Sequence, residues 1–241
     1  MLKHGNTKPL IRWNLGKSHK DGHKCLNLAI QKALDIFSEE FDFCVAKNNT
    51  EINLSIRTVQ QQWDFRFNEI LNPSPMLWKF CPSRLNMGGY EIFLDNDVAL
   101  VQDHPELRKA LNRNVPTIGR GWKHLYGSIQ SYIQTDHPIC AAVIILPPYY
   151  DITSKLIFNW KELGKPKLTG PLDEQGLVAY TMLKDNATVL SEGVIPNLVY
   201  SPTEMRKITD YAITGKECGY HFIGANRGTN EFLRTQHVYN L

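Results

Sequence analysis

The stretch Glu91-Ile92-Phe93-Leu94-Asp95-Asn96-Asp97-Val98 is an apolar run that ends in two carboxylates separated by one residue. On a strand, residues two apart point to the same side, so we expect Asp95 and Asp97 to face one point. Two anions at the end of a buried strand are unfavourable unless a positive charge lies between them. Mg²⁺ and Mn²⁺ prefer carboxylate oxygens and often hold substrate phosphates as well. The stretch therefore predicts a metal-dependent enzyme that handles phosphate.

The composition limits the class of protein. A chain of 241 residues is long enough for one large α/β domain or two small ones. A net charge of +3 is too small to argue for nucleic acid or an anionic membrane, but it permits an anionic small-molecule substrate. The 5 cysteines include no CxxC pair, which argues against a disulfide framework and a cysteine zinc site. Neither a signal-peptide core nor a membrane-spanning run is visible, so we expect a cytoplasmic protein with no membrane anchor.

The order of patterns along the chain predicts an α/β fold. Residues 9–15 and 41–46 have the character of strands, and the segment between them has helical periodicity through Leu26, Ile30 and Phe37. This alternation is typical of a mostly parallel, Rossmann-like sheet flanked by helices. We expect further strands at 91–101 and 140–146 and a flexible basic loop at 113–126. A single domain over residues 1–241 is the expectation, with a nucleotide-binding half near 9–101 and an acceptor- and sugar-binding half near 102–241.

Four segments, taken in order, resemble nucleotide-sugar-dependent glycosyltransferases of the GT-A fold. Residues 91–97 are similar to the metal-binding segment of that superfamily. Lys79-Phe80-Cys81-Pro82-Ser83-Arg84-Leu85 is similar to the segment whose basic residue approaches the nucleotide or its diphosphate. Leu172-Asp173-Glu174-Gln175-Gly176-Leu177 resembles the acidic helix start beside the transferred sugar. Gly219-Tyr220-His221-Phe222-Ile223-Gly224 resembles the segment that supplies a histidine ligand to the metal. Their order, over roughly residues 9 to 230, is more specific than any one motif.

The resemblance implies a metal site that binds the diphosphate of the donor. Asp95, Asp97 and His221 would hold Mn²⁺ or Mg²⁺, and the imidazole suits Mn²⁺ better. Asp95 would also border the nucleotide, while Arg84 and the glycine-flanked Arg227 would bind the diphosphate through their guanidinium groups. The alternative for His221 is a buried histidine that is satisfied by hydrogen bonds.

The resemblance also implies residues for the base and the sugar. Trp13 and Asn14, at the end of the first strand, would border the nucleotide base, although Trp13 could equally belong to the core. Asp173 and Glu174 would be the catalytic carboxylates, as a general base or as ligands of sugar hydroxyls, and Gln175 would add a sugar contact. Both acids also stand where carboxylates cap a helix, so capping is the alternative.

The leading functional hypothesis is a metal-dependent glycosyltransferase that uses a UDP- or GDP-sugar and an unidentified hydroxyl acceptor. Nucleic acid enters this hypothesis only as a possible acceptor. A nucleotidyltransferase on a similar sheet is the first alternative, and a non-catalytic nucleic-acid-binding protein that uses the basic segments 17–24 and 113–123 is the second. Cys140, Ala141 and Ala142 stand where many relatives have small polar residues that contact the sugar, so the sequence leaves the donor sugar open.

Overall fold

A mixed sheet between two layers of helices forms the centre of the molecule. The computed structural model describes residues 7–15, 20–48, 55–70, 75–200 and 214–224. Its strands, in chain order, are β1 (Leu10–Leu15), β2 (Asp42–Lys47), β3 (Arg57–Gln60), β4 (Glu91–Asp95), β5 (Val98–Leu100), β6 (Thr117–Arg120), β7 (Ile139–Leu146), β8 (Thr188–Val189), β9 (Asn197–Tyr200) and β10 (Gly219–Gly224). Its helices are α1 (Lys20–Phe37), α2 (Pro105–Ala110), α3 (Ile152–Glu162) and α4 (Pro171–Lys184), with short 3-10 helices at Phe65–Glu69, Pro75–Phe80 and Gly127–Tyr132.

The main sheet has the strand order β3-β2-β1-β4-β7-β6-β8. Strands β3, β2, β1 and β4 are parallel to one another, whereas β7 runs antiparallel to both β4 and β6. The register places Asn14 of β1 beside Asp95 of β4, so both lie at the same edge of the sheet. That edge, where the parallel strands end, is the usual ligand-binding edge of an open α/β sheet.

A smaller sheet, ordered β5-β10-β9, continues from this edge. Strand β10 pairs antiparallel with β5, which follows β4 in the chain, and parallel with β9. The register sets His221 of β10 opposite Val98 of β5 on one side and opposite Asn197 of β9 on the other. The last described strand is thereby brought back to the turn that contains Asp97.

The core has two main parts, one on each face of the main sheet. On one face, Leu26, Ile30 and Phe37 of α1 pack with Trp13 and other buried residues of β1, β4 and α2. On the other face, α3 and α4 pack against Phe93 and the opposite side of β7. The helical spacing seen in the sequence produces the apolar face of α1 that covers the sheet. The expected α/β fold, a mostly parallel sheet flanked by helices, is confirmed.

Two local predictions are wrong. The strand expected across 91–101 is interrupted by a turn at Asn96 and Asp97, and its two halves, β4 and β5, belong to different sheets. The segment expected to be a flexible loop at 113–126 contains β6, which is hydrogen-bonded to β7 inside the main sheet. Its strand character comes from pairing with distant residues, because Ile118 is the only large apolar side chain in Thr117–Arg120.

None of the helices in the described ranges has the length and hydropathy that crossing a bilayer requires.

Candidate functional site

Asp97 lies in the two-residue turn between β4 and β5 and is buried. Its main-chain carbonyl accepts a hydrogen bond from the amide of Phe222 at 3.0 Å, which ties the turn to β10. Because the residues from 95 to 97 are not one continuous strand, the alternation rule does not bring the two carboxylates to one side. Each finds a different partner.

The Asp97 carboxylate faces the imidazole of His221. Asp97 Oδ1 and His221 Nε2 are 3.5 Å apart, and both side chains are less than a tenth exposed. Burial alone would lower the pKa of His221, but the adjacent Cys140 and Asp97 outweigh it and raise the pKa to about 10. Asp97 and His221, which are 124 positions apart in the chain, thus place a carboxylate oxygen beside an imidazole nitrogen in a buried site.

The other ring nitrogen of His221 has two further neighbours. Asn197 Oδ1 lies 2.7 Å from His221 Nδ1, and Cys140 Sγ lies 3.6 Å from the same nitrogen. Asn197 also donates through Nδ2 to the main-chain carbonyl of Arg120 at 2.7 Å. The imidazole is therefore held between β9, β7 and the turn after β4.

The Asp95 carboxylate forms an ion pair with Lys79 rather than with a second acid. Lys79 Nζ is 2.7 Å from Asp95 Oδ1 and donates to the main-chain carbonyl of Ala141 at 3.0 Å. The Lys79 side chain is 6% exposed and that of Asp95 is 26% exposed, so the acid is the more accessible partner. A buried ammonium group therefore stands at the end of β4.

The donor set of this site is compatible with a divalent cation. Among the residues the structure describes, no group of three or more His, Cys, Asp and Glu side chains is arranged to hold a metal ion. The pair Asp97 and His221 nevertheless offers one oxygen and one nitrogen. Cations such as Mg²⁺ commonly take one or two protein ligands and complete their shell with substrate phosphates and water. Asp95 could join them only by sharing its carboxylate with Lys79.

Arg84, which the resemblance implies as a diphosphate ligand, has its guanidinium group bound within the protein. Its side chain is 1% exposed and pairs with Glu91 at 3.0 Å. The remaining guanidinium N–H groups donate to main-chain carbonyls, those of residues Pro147, Tyr150, Asn86 and Gly89. Every donor of the fork is used within the protein. The buried Glu91 carboxylate, which also pairs with Arg12, holds the Arg84 guanidinium group in place.

The two residues predicted to border the base lie in different environments. Trp13 is fully buried, stacks on Phe43 with ring centroids 6.4 Å apart, and donates to the Val98 carbonyl, so its place is the core. Asn14 lies on the opposite face of β1, next to Asp95. Its Oδ1 accepts from Arg12 at 3.1 Å, whereas its buried Nδ2 has no hydrogen-bond partner among the described residues. Such a donor is available to water or to a ligand at this edge of the sheet.

The acidic start of α4 joins this helix to the 3-10 helix Gly127–Tyr132. Asp173 Oδ1 accepts from the amide and the hydroxyl of Ser128, and Oδ2 accepts from both groups of Thr169 and from the Gly170 amide, all within 3.0 Å. Burial alone would raise the pKa of Asp173, but the hydrogen bonds from Ser128 and Thr169 hold it well below its usual value. Both carboxylate oxygens serve to hold the loop and the helix together.

Glu174 and Gln175 lie beside this junction. Glu174 is buried on the first turn of α4. Gln175 is half-buried and donates through Nε2 to the Leu125 carbonyl at 2.9 Å. Arg227, the remaining predicted diphosphate ligand, lies outside the described residues.

Lys79 and Asn197 take part in the site but were missed in the sequence. Lys79 belongs to the basic segment that the resemblance singles out, where Arg84 was preferred for its bidentate geometry. Its place in that segment was the available signal. Asn197 gives no such signal, because its contact with His221 arises from strand pairing between distant segments.

An open cleft of about 570 Å³ lies elsewhere on the molecule. It borders Leu10, Asp42 and Arg57, which are the first residues of β1, β2 and β3. The cleft is therefore at the opposite edge of the sheet from Asp95, and it is not part of the site described above.

No family model and no curated protein matches this sequence. Solved structures do match it. The galactosyltransferase LgtC, solved with donor and acceptor sugar analogues, has 13% sequence identity and a TM-score of 0.58, over 96% of this chain and 95% of that chain. An active-site mutant of LgtC has a TM-score of 0.60. The bifunctional glycosyltransferase WbbM matches with a TM-score of 0.62 and 12% identity, over 95% of this chain and 49% of its own. These likenesses establish the fold of GT-A-type glycosyltransferases for this chain.

Proposed function

We propose that the protein transfers a sugar from a UDP- or GDP-sugar to a hydroxyl group of an acceptor. The observation that supports this best is the pairing of Asp97 with His221 and of Asp95 with Lys79 where β4 ends. Carboxylates, an imidazole and a buried ammonium group suit a diphosphate and its counter-ion. The fold, which is shared with sugar-transferring enzymes, is compatible with this chemistry, and the residues of the site support it.

We propose Mn²⁺ or Mg²⁺ as the cofactor, with Asp97 and His221 as ligands and Asp95 as a further one. Bound there, the cation would act as a Lewis acid on the diphosphate. His221 supplies the nitrogen that favours Mn²⁺ over Mg²⁺. The burial of Asp97 and His221 excludes water from the protein side of the site and thereby strengthens their electrostatic interactions.

In this proposal Lys79 takes the diphosphate-binding role that the resemblance implies for Arg84. Negative charge develops on the nucleoside diphosphate as the glycosidic bond breaks, and a fixed ammonium group nearby stabilises it. Lys79 is already oriented by Asp95 and the Ala141 carbonyl, so little reorganisation accompanies the reaction. Arg227 stays a proposal for a second cation.

The start of α4 would face the transferred sugar. In this proposal Glu174 is the carboxylate that acts as a general base or binds sugar hydroxyls, and Gln175 lies beside it. Asp173 is a positioning residue, because its oxygens hold the loop at Ser128 and the helix together. Asn14 would donate from Nδ2 to the nucleotide, since that group lies at the carboxyl edge of the sheet.

The test is isothermal titration of the protein with UDP, GDP and their sugars, with and without Mn²⁺. We expect nucleotide binding that depends on Mn²⁺ and that is weakened roughly 10- to 100-fold in Asp97→Asn, as for a lost charged hydrogen-bonding partner. Asp103→Asn is the matched control, because that carboxylate is exposed and paired with Arg108 away from the site. Absence of nucleotide binding in every condition would overturn the proposal.

Product analysis separates this function from nucleotidyl transfer. Release of a free nucleoside diphosphate from a sugar nucleotide supports sugar transfer. Release of pyrophosphate from a nucleoside triphosphate and a sugar phosphate would instead support the nucleotidyltransferase.

A further inference from the structure

We infer that Asn197 is a positioning residue, which holds the Nδ1–H of His221 and so turns Nε2 toward Asp97 and toward a divalent cation that replaces the Nε2 proton. This inference rests on the proposed metal site. In this role Asn197 orients the metal ligand His221 and is not itself a ligand.

The orientation of the Asn197 amide follows from its other contact. One end of the amide lies 2.7 Å from the main-chain carbonyl oxygen of Arg120. A carbonyl oxygen only accepts hydrogen bonds, so the amide group that faces it must be the NH₂. The oxygen of Asn197 is therefore the atom that faces the imidazole. The Arg120 carbonyl decides this orientation, and the shape of the amide does not.

The tautomer of His221 follows from the amide. The Asn197 oxygen, 2.7 Å from Nδ1, can only accept, so Nδ1 must carry the proton. When a divalent cation displaces the proton of Nε2, the imidazole keeps its proton at Nδ1 and has its lone pair on Nε2. That nitrogen is the one that lies 3.5 Å from Asp97 Oδ1. Rotation of the ring by half a turn would set a carbon against Asn197 and lose the bond.

The surroundings make this contact hard to replace. Asn197 and His221 face each other across the parallel pair β9 and β10, and both side chains are less than a tenth exposed. Water has little access to compete for Nδ1. Cys140 Sγ, at 3.6 Å from the same nitrogen, is a weak acceptor that cannot orient the ring as an amide oxygen does. Partners of this kind fix the tautomer and the ring orientation of histidine ligands in metal proteins.

The first experiment measures Mn²⁺ affinity by electron paramagnetic resonance on the full chain, without substrate. Asn197→Leu removes the acceptor, and we expect Mn²⁺ affinity to fall about 10- to 100-fold. Asn197→Asp keeps an oxygen toward Nδ1, and we expect it to recover most of that loss. Leu198→Ala is the control for destabilisation alone, because Leu198 is a buried neighbour on β9, and it should bind Mn²⁺ as the wild type does.

The second experiment requires no variant at position 197. Long-range ¹H–¹⁵N correlation spectra of the Zn²⁺-loaded wild-type protein report which nitrogen of His221 carries a proton. We expect a protonated Nδ1. An unprotonated Nδ1, or Mn²⁺ affinity that is unchanged in Asn197→Leu, would overturn the role of Asn197 while leaving the metal site intact. A wild-type protein that binds no Mn²⁺ would overturn the metal site itself.

Discussion

Where β4 ends, Lys79 holds a buried ammonium group 2.7 Å from Asp95 Oδ1. The cause is local geometry, because the turn at Asn96 ends β4 and leaves Asp95 free to pair across to the 3-10 helix Pro75–Phe80. The positive charge expected beside the carboxylates at the end of β4 is therefore present, and Lys79 supplies part of it.

Substitution of Lys79 by methionine should weaken the binding of nucleoside diphosphate. Loss of a hydrogen bond to a charged group corresponds to about 1.5–3 kcal/mol, roughly 10- to 100-fold in affinity. Isothermal titration with UDP and GDP measures the change. Lys161→Met is the control, since that lysine forms an exposed ion pair with Glu69. Equal affinities of wild type and Lys79→Met would refute a contact between Lys79 and the diphosphate.

Asp173 should contribute to stability in a pH-dependent way. Because hydrogen bonds hold the pKa of the folded carboxylate below its usual 3.8, the stabilisation is complete above that pH and is lost as the pH falls further. We expect Asp173→Asn to reduce the free energy of unfolding by about 3 kcal/mol at neutral pH. In urea denaturation the gap between the two proteins should be smaller at pH 3 than at pH 7. A gap that does not change with pH would contradict the assigned ionisation.

At the scale of elements, two glycines let α4 approach the 3-10 helix Gly127–Tyr132. A Cβ at Gly176 would lie 2.4 Å from the Tyr126 carbonyl oxygen, and one at Gly127 would lie 2.3 Å from Asp173 Oδ1. Gly127 also has a φ of +54°, which side chains disfavour. The start of α4 therefore depends on close contact between main chains as well as on the carboxylate.

Alanine at position 176 should separate these two elements. Overpacking of this kind typically reduces the free energy of unfolding by about 1–3 kcal/mol, and chemical denaturation measures it. We also expect lower transferase activity, because Glu174 would move with the first turn of α4. Gly170→Ala is the matched control, since a Cβ there has no atom within 4 Å. If both variants unfold at the same denaturant concentration, the close approach does not determine the position of α4.

At the scale of the whole molecule, one buried carboxylate joins segments from several parts of the chain. Glu91 pairs with Arg12 of β1 at 3.2 Å and with Arg84 at 3.0 Å, and it accepts the amides of Leu85 and Asn86. The two guanidinium groups in turn hold main-chain carbonyls of the segments around Lys79, Pro82 and Pro147. Removal of one charge from such a network leaves the others buried and uncompensated.

Substitution of Glu91 by alanine should destabilise the whole fold. The expected loss is about 3–5 kcal/mol in the free energy of unfolding, as for other broken buried ion pairs. Urea denaturation followed by circular dichroism measures it. Glu69→Ala, at an exposed pair with Lys161, should change stability by less than about 1 kcal/mol. Comparable effects of the two substitutions would show that the buried network does not hold these segments together.

The sequence by itself determined the fold class and the region of the site. Apolar periodicity placed α1 and the strands β1, β2 and β7, because burial of one face or of a whole strand leaves a local pattern. The spacing of the two carboxylates pointed to Asp97 and the resemblance pointed to His221, and the structure brings these two side chains within 3.5 Å of each other.

Only the tertiary structure decided which polar residues meet. The turn between β4 and β5 gives Asp95 and Asp97 different partners. Arg84 forms an ion pair with the buried Glu91. The pairing of β9 with β10 supplied Asn197 to His221. These outcomes depend on strand register and on the balance of buried charge across the whole chain. Neither quantity is local, so neither leaves a periodic pattern in the sequence around the residues concerned.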